Sequence, residues 1–317
     1  MKRHLLALVL ALGLLSSACE GNKQKPDDLD GASARVEPPA SVVKESARTK
    51  EARLGRGEPI LWRVDGEKGP VYILGTIHVG VDLHKQFPKG LWSLVGRSDV
   101  FVMETDLSAA SGKMLTASLL PQGETLKGEL GEEDFAKLDA LLDGAGESFN
   151  GYKPWFIVSM LLLKMLPDGV TTLSMDKELH AHAVDHGKEL GYLEEPSYQL
   201  SVLERTMTMD ELREMLDDFD AQKEDLADMI EMYTAGDIEG MSKLSFKEME
   251  EKKEHYEILF FERNNNWLPL LEGYIERGKV FVAVGAGHLL GERGVIALLE
   301  KKGYAPERVT RSELEEL

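Results

Sequence analysis

Two histidines follow the same short pattern, Gly75-Thr76-Ile77-His78 and Gly285-Ala286-Gly287-His288, each a Gly-x-x-His directly after an apolar, β-branched run. A carboxylate, Glu104, ends a third such run, Val100-Phe101-Val102-Met103. Two neutral imidazoles and a carboxylate suffice for an open divalent-metal site that leaves positions for water. An ion held this way acidifies its water and polarises a carbonyl, which hydrolysis of an amide or ester requires. The bland alternative is a pair of loop histidines satisfied by backbone groups. One Gly-x-x-His alone would favour that alternative, whereas two copies placed alike argue for one shared site. Gly75, Gly285 and Gly287 are expected to allow backbone turns closed to other residues and to let a ligand come close.

For these groups to meet, the runs that carry them must be strands of one sheet. Residues 71–74, 100–104 and 280–284 read as buried strands, and 61–64 with 71–74 read as a hairpin around Asp65-Gly66-Glu67-Lys68-Gly69. Between them, residues 88–96, 132–142, 154–166 and 174–190 read as helices, 192–194 as a short strand, and most of 198–277 as amphipathic helices broken near Gly236 and Gly240. A helix over 294–302 and a last strand at Val309 close the chain. Strands at both ends of a helical middle predict an α/β (or α+β) domain, with a central β-sheet, paired strand-Gly-x-x-His elements and a large helical insertion. In open α/β sheets ligands gather beyond the carboxyl ends of the strands. That rule puts His78, Glu104 and His288 within reach of one crevice.

Other candidates are weaker. His180, His182 and His186 lie in the segment HAHAVDH, where His182 and His186 are one helical turn apart and able to share a metal, but the polar surroundings favour a solvated face. The run Asp217-Asp218-Phe219-Asp220 lacks the glycine and terminal glutamate of a calcium loop. The sequence has no His-Glu-x-x-His helix, phosphate loop or Gly-x-Ser-x-Gly elbow. Met207, Met209, Met215, Met229, Met232 and Met241 read as core filler, with a Met-lined peptide groove as the alternative.

Hydrophobic residues make up 43% of the 317, enough to bury a substantial core. Lys and Arg number 37 against 56 Asp and Glu, a formal charge of -19, which argues against nucleic acid as a partner because phosphates need a basic footprint. Residues 1–18 read as an export signal: Lys2 and Arg3, an apolar run over 5–15, then small residues before Cys19, the sole cysteine. This arrangement resembles a bacterial lipoprotein signal in which Cys19 is lipidated, by palmitate or a similar chain, although Ser16 stands where such signals usually carry Leu. Ordinary secretory cleavage before Cys19 is the alternative. Residues 19–57, polar and carrying Pro26, Pro38 and Pro39, read as a flexible linker from membrane to domain, and 58–317 as the domain itself.

Further matches run along the domain: Leu74-Gly75-Thr76-Ile77-His78, Glu104-Thr105-Asp106, Lys153-Pro154-Trp155, Met175-Asp176, Leu193-Glu194, Gln199, Glu262-Arg263-Asn264 with Trp267, and Val284 to Leu289 through Gly291, Gly294 and Gly303. In their order and number they resemble the TraB/PrgY/GumN family, which includes the animal Tiki metalloproteases. The resemblance implies a metal-dependent hydrolase-like domain using manganese, cobalt or zinc, with His78 and His288 as ligands and Glu104 as ligand or general base. It further implies Arg263 as a site residue able to hold a carboxylate or oxyanion, Asn264 as its orienter, and Thr76, Asp176 and Glu194 as site candidates. For Glu104 with Arg263 a structural ion pair is the alternative, and for Asp176 and Glu194 a buried hydrogen-bonded acid. The implied activity is on a peptide or protein at the cell envelope, probed against a non-catalytic lipoprotein that binds a peptide, haem or metal ligand. The lipid expectation has its own test: mass spectrometry of the mature protein should find an acylated Cys19 as its first residue, and an unmodified Cys19 would leave only secretion.

Overall fold

The computed structural model describes residues 57–106, 108, 114 and 116–317, so the expected signal, Cys19 and residues 20–56 of the expected linker lie outside the described residues. The chain forms strands β1 (Leu61–Gly66), β2 (Gly69–Thr76), β3 (Val100–Met103), β4 (Glu189–Tyr192), β5 (Val280–Gly285) and β6 (Glu307–Arg308), paired into one sheet in the order β4-β3-β5-β2-β1-β6. β2, β3, β4 and β5 run parallel, while β1 pairs antiparallel with both β2 and β6. The apolar runs of β3 and β5 are buried along their whole length, as strands covered on both faces must be. The fold is α/β.

Order along the sheet differs from order along the chain in the way that matters for the site. The chain makes β2, skips a place to make β3, adds β4 outside it, and only then returns to lay β5 between β2 and β3. Thr76 of β2 pairs with Gly285 of β5, and Met103 of β3 pairs with Ala283 of β5. The three parallel strands therefore end nearly level, and whatever follows each of them emerges at one edge.

Ten helices bear on the fold: α1 (Lys89–Arg97), α2 (Glu132–Leu141), α3 (Pro154–Met165), α4 (Met175–Asp185), α5 (Pro196–Thr206), α6 (Met209–Asp217), α7 (Phe219–Ala235), α8 (Ile238–Ser245), α9 (Glu262–Arg277) and α10 (Val295–Lys301). α3, apolar nearly all round and led by Pro154 in its first turn, packs against α5, α6 and α7 as a core helix. Among the described residues no helix is long and apolar enough to cross a membrane. α9 lies against β1, β2 and β5 and follows a widened π turn, Glu257–Phe261.

Several boundaries differ from expectation for local reasons. The helix expected over 174–190 stops at Asp185, because Gly187 turns left-handed at φ 63° and ends it, and the next residues pair with β3 from Glu189 onwards. The strand expected at 192–194 is thereby moved upstream, which frees Leu193 and Glu194 to turn into the crevice. Gly236 does end α7, with φ 68°, but Gly240 sits inside α8, its N–H capped by Asp237 at 2.9 Å. Val309 follows β6 and donates to the Leu61 carbonyl at 2.9 Å.

The expected role of Gly75, Gly285 and Gly287 needs correction. None of the three is among the positive-φ glycines, so the backbone at each is open to ordinary residues. At Gly75 the constraint is space: a Cβ there would lie 3.0 Å from Ala286 Cα, Ala286 Cβ and Ile60 Cγ2. Missing bulk on β2 is what lets the turn carrying His288 sit against it. Gly75→Ala is expected to cost about 1–3 kcal/mol, the range for overpacking a tight contact. Thermal unfolding should read this as a lowered midpoint, and an unchanged midpoint would refute the contact.

Candidate active site

His78, Glu104 and His288 emerge beyond β2, β3 and β5 and are all buried. His78 follows Ile77 into a bend after β2, and its Nδ1 lies 2.7 Å from Asp176 Oδ2. Asp176 sits in the first turn of α4, whose Ser174 cap and positive end favour an acid there, and its other oxygen accepts from Thr76 Oγ1 at 2.9 Å. Because Asp176 is an acceptor, Nδ1 of His78 carries the proton. Its Nε2 is buried and has no hydrogen-bond partner.

His288 is held in the same manner by a different group. It stands in the 3₁₀ turn Ala286–Leu289 after β5, with Nδ1 2.7 Å from Asn264 Oδ1. The Asn264 amide is oriented by its Nδ2, which donates to the Arg293 carbonyl at 3.0 Å, so its oxygen must face the ring. Nδ1 of His288 is therefore the protonated nitrogen, and Nε2 accepts from Arg263 Nη1 at 2.9 Å. Phe260 and Trp267 pack against the ring at centroid distances of 5.1 and 4.3 Å.

Arg263 is the hub. Its Nε and Nη2 donate to Glu194 at 3.0 and 2.7 Å, Nη2 also donates to Glu104 Oε2 at 2.7 Å, and Nη1 reaches the Leu259 carbonyl at 3.1 Å. Glu104 accepts in addition from Gln199 Nε2 at 2.9 Å and, through its other oxygen, from the Gly285 N–H at 2.7 Å. The Trp267 indole donates to Glu194 at 3.1 Å. Glu104 and Arg263 form the ion pair that stood as the structural alternative for them, and Glu194 and His288 share it.

A sequence profile of the TraB/PrgY/gumN family matches residues 60–308. The chain belongs to that family. A metalloprotease TIKI homolog of Amphimedon queenslandica is 25% identical over 321 aligned residues, covering 80% of this chain and 62% of that protein. The chain thus spans less than two thirds of its relative's length, and no solved structure matches it.

Every family-matched candidate falls in this cluster: Thr76, Asp176, Glu194, Arg263 and Asn264 join the two histidines and Glu104. Gln199 and Trp267 join it too, and nothing in their local sequence says that a helix face turns an amide onto Glu104 or an indole onto Glu194. The HAHAVDH histidines stay outside, on the far part of α4.

Charge in the cluster is unbalanced. Asp176, Glu104 and Glu194 carry buried carboxylates, and among the described residues Arg263 is the one buried guanidinium facing them. Burial would lower the His78 imidazole, but Asp176, its hydrogen bond and Glu104 outweigh that and raise it. Burial likewise works to raise Asp176, and His78 with the Thr76 bond overrides it to hold the carboxyl low. For Glu104, burial prevails and pushes the carboxyl up, assisted by Glu194 and opposed by Arg263 and His78.

A divalent ion fits this donor chemistry on two counts, the unpartnered His78 Nε2 and the excess of buried negative charge, which is costly without a counter-ion. Among the described residues, however, no three His, Cys, Asp or Glu side chains are grouped to hold an ion. The reason is visible: Arg263 takes the His288 Nε2 lone pair, and both oxygens of Glu104 are engaged. Glu104 and His288 Nε2 are 3.9 Å apart, so His78, His288 and Glu104 converge without forming a finished coordination set.

The cluster is also sealed. A cavity of about 340 Å³ lined by Gly80, Asp82, Lys85, Gln86 and residues 169–171 and 173 lies beside the loop after His78 and the loop before α4, which are joined by a 3.0 Å bond from Gly80 N to the Thr171 carbonyl.

The His78–Asp176 pair has a definite pH signature. A raised imidazole contributes stability that is complete below the ordinary histidine value of about 6.5 and is lost as pH rises through the folded value. A depressed carboxyl contributes stability complete above its ordinary value of about 3.9 and lost as pH falls through the folded value. Both contributions are full between these two values. Asp176→Asn should therefore destabilise most in that window, by about 3–5 kcal/mol for a broken buried pair, and less in alkali. Urea unfolding across pH reads the difference, and a penalty independent of pH would refute it.

Proposed function

We propose that the protein is a metal-dependent hydrolase of the cell envelope acting on peptides or proteins. What carries this reading is the meeting of His78, His288 and Glu104 at the level ends of adjacent parallel strands, with His78 Nε2 unpartnered in a cluster short of positive charge. Family membership and the metalloprotease relative support it. In this reading His78 and His288 would hold a divalent ion, with manganese, cobalt and zinc as candidates, and Glu104 would be a further donor or the base beside it. When bound, the ion supplies Lewis acidity and a water of lowered pKa.

The chain's own residues have separable tasks. Asp176 and Thr76 hold the His78 ring with Nε2 free, and Asn264 fixes the tautomer of His288. Glu104, its carboxyl raised by burial, is suited to take and return a proton. Arg263, whose N–H groups are all engaged, positions Glu104, Glu194 and His288. Lipid on Cys19 would anchor the protein to a membrane, with residues 20–57 as tether.

One observation favours a second reading: Glu104 is fully hydrogen-bonded and the cluster is closed, which suits a non-catalytic lipoprotein that binds a peptide, haem or metal ligand. Metal analysis after growth with manganese, cobalt and zinc separates the two when paired with a peptide-library digest. Expected are stoichiometric bound metal, lost in His78→Ala and His288→Ala with the fold intact, and chelator-sensitive cleavage that drops by about 10²–10⁴-fold in Glu104→Gln. Bound metal without turnover would favour the binding protein, and absence of metal in the wild type would reject the hydrolase.

A further inference from the structure

α4 carries a second set of donors that the buried cluster does not use. Its first turn supplies Asp176 to His78, whereas His182 and His186 lie two and three turns further along. The segment His182-Ala183-Val184-Asp185-His186 has the four-residue separation at which two imidazoles on one helical face chelate a single ion. The two rings are in contact, with centroids 4.0 Å apart.

The His186 ring is anchored through one nitrogen, which decides what the other can do. His186 Nδ1 lies 2.8 Å from the His182 carbonyl, and a carbonyl only accepts, so this nitrogen carries the proton and Nε2 carries the lone pair. His182 Nε2 is shielded from solvent and has no hydrogen-bond partner, and the ring packs on Trp92. His186 thus has the arrangement of a metal-ligating histidine, one nitrogen tied to a carbonyl and the other open, and His182 brings an unsatisfied nitrogen to the same end of the helix. One turn earlier on the same face, Glu178 Oε2 is also buried without a hydrogen-bond partner. Trp92, against which His84 stacks at 4.5 Å and His182 packs at 4.9 Å, fixes this side of the helix.

We propose that His182 and His186 form a second site, at the C-terminal end of α4 with its open side at the exposed His186, for one borderline transition-metal ion such as copper(II), nickel(II) or zinc(II). The two Nε2 atoms are the protein ligands and water fills the remaining positions. Imidazole pairs suit this group of metals, with copper(II) bound most tightly, and they discriminate against magnesium and calcium, which take oxygen donors. Two donors meet the observation that no three such side chains are already grouped among the described residues.

The site is independent of the buried cluster, and its test is built to stay so. Copper(II) is titrated into metal-free protein carrying His78→Ala and His288→Ala, followed by calorimetry and by the nitrogen hyperfine pattern in electron paramagnetic resonance. Expected is one bound equivalent with two imidazole nitrogens. Adding His186→Ala, a change at an exposed residue, should weaken binding by at least the roughly 10–100-fold that losing a ligand's outer partner costs. Adding His182→Ala as well should abolish the equivalent while circular dichroism is unchanged. Failure of the parent variant to bind copper(II), or full retention of the equivalent after both substitutions, would overturn the proposal. Neither result bears on whether His78 and His288 hold a metal.

Discussion

A single buried guanidinium organises the edge of the sheet. Arg263 is fully enclosed and spends its donors on Glu104 after β3, Glu194 after β4, the Leu259 carbonyl one turn back and His288 after β5. Taking such a group out of water costs several kcal/mol, and only saturation of its fork by two carboxylates and further acceptors offsets that. The burial of Glu104 and Glu194 depends on the arginine in turn. Position comes from α9 and the π turn before it, and π turns within helices are common at functional sites.

Around this hub the two Gly-x-x-His units play unequal parts. Each imidazole is fixed at Nδ1 by a side chain from a distant helix, but the partner of His78 is a carboxylate and the partner of His288 is an amide. A carboxylate partner makes the free nitrogen the stronger donor. His78 Nε2 also lacks any partner, whereas His288 Nε2 already serves Arg263. The two histidines look duplicated in sequence and are chemically distinct in the fold.

The paired elements were legible because their signal is local. An apolar β-branched run needs only its own residues to become a buried strand, and the rule that ligands gather at strand ends then brings His78, Glu104 and His288 together. What was hidden is what distance along the chain conceals. Asp176 meets Thr76 across 100 residues and Arg263 meets Glu104 across 159. Only the family pattern pointed to them, and it did not say who pairs with whom. The glycines misled because their types suggest backbone freedom, while Gly75 is needed for the closeness of Ala286. The return of β5 to the middle of the sheet also has no local marker, yet it brings the second histidine beside the first.

The cluster and its cover are held by different interactions. Its core is crosslinked by charge-assisted bonds from several elements, and such networks resist partial opening because each lost partner leaves a buried charge. The cover is held by packing and one backbone bond. Residues 79–82 are tied to residues 167–173 by the Gly80–Thr171 backbone bond, and Leu173 in that cover is 56% exposed. Gly80 itself has φ 93°, and a Cβ there would lie 2.7 Å from Ile230 Cδ1, so the close fit of cover to α7 rests on a missing side chain. Val79 and Val81 in the cover are buried in the core, so only the stretch around Leu173 is lightly held. The cover is thus held by packing and one backbone bond and the cluster by charge, so the constraint that seals the site differs in kind from the one that builds it.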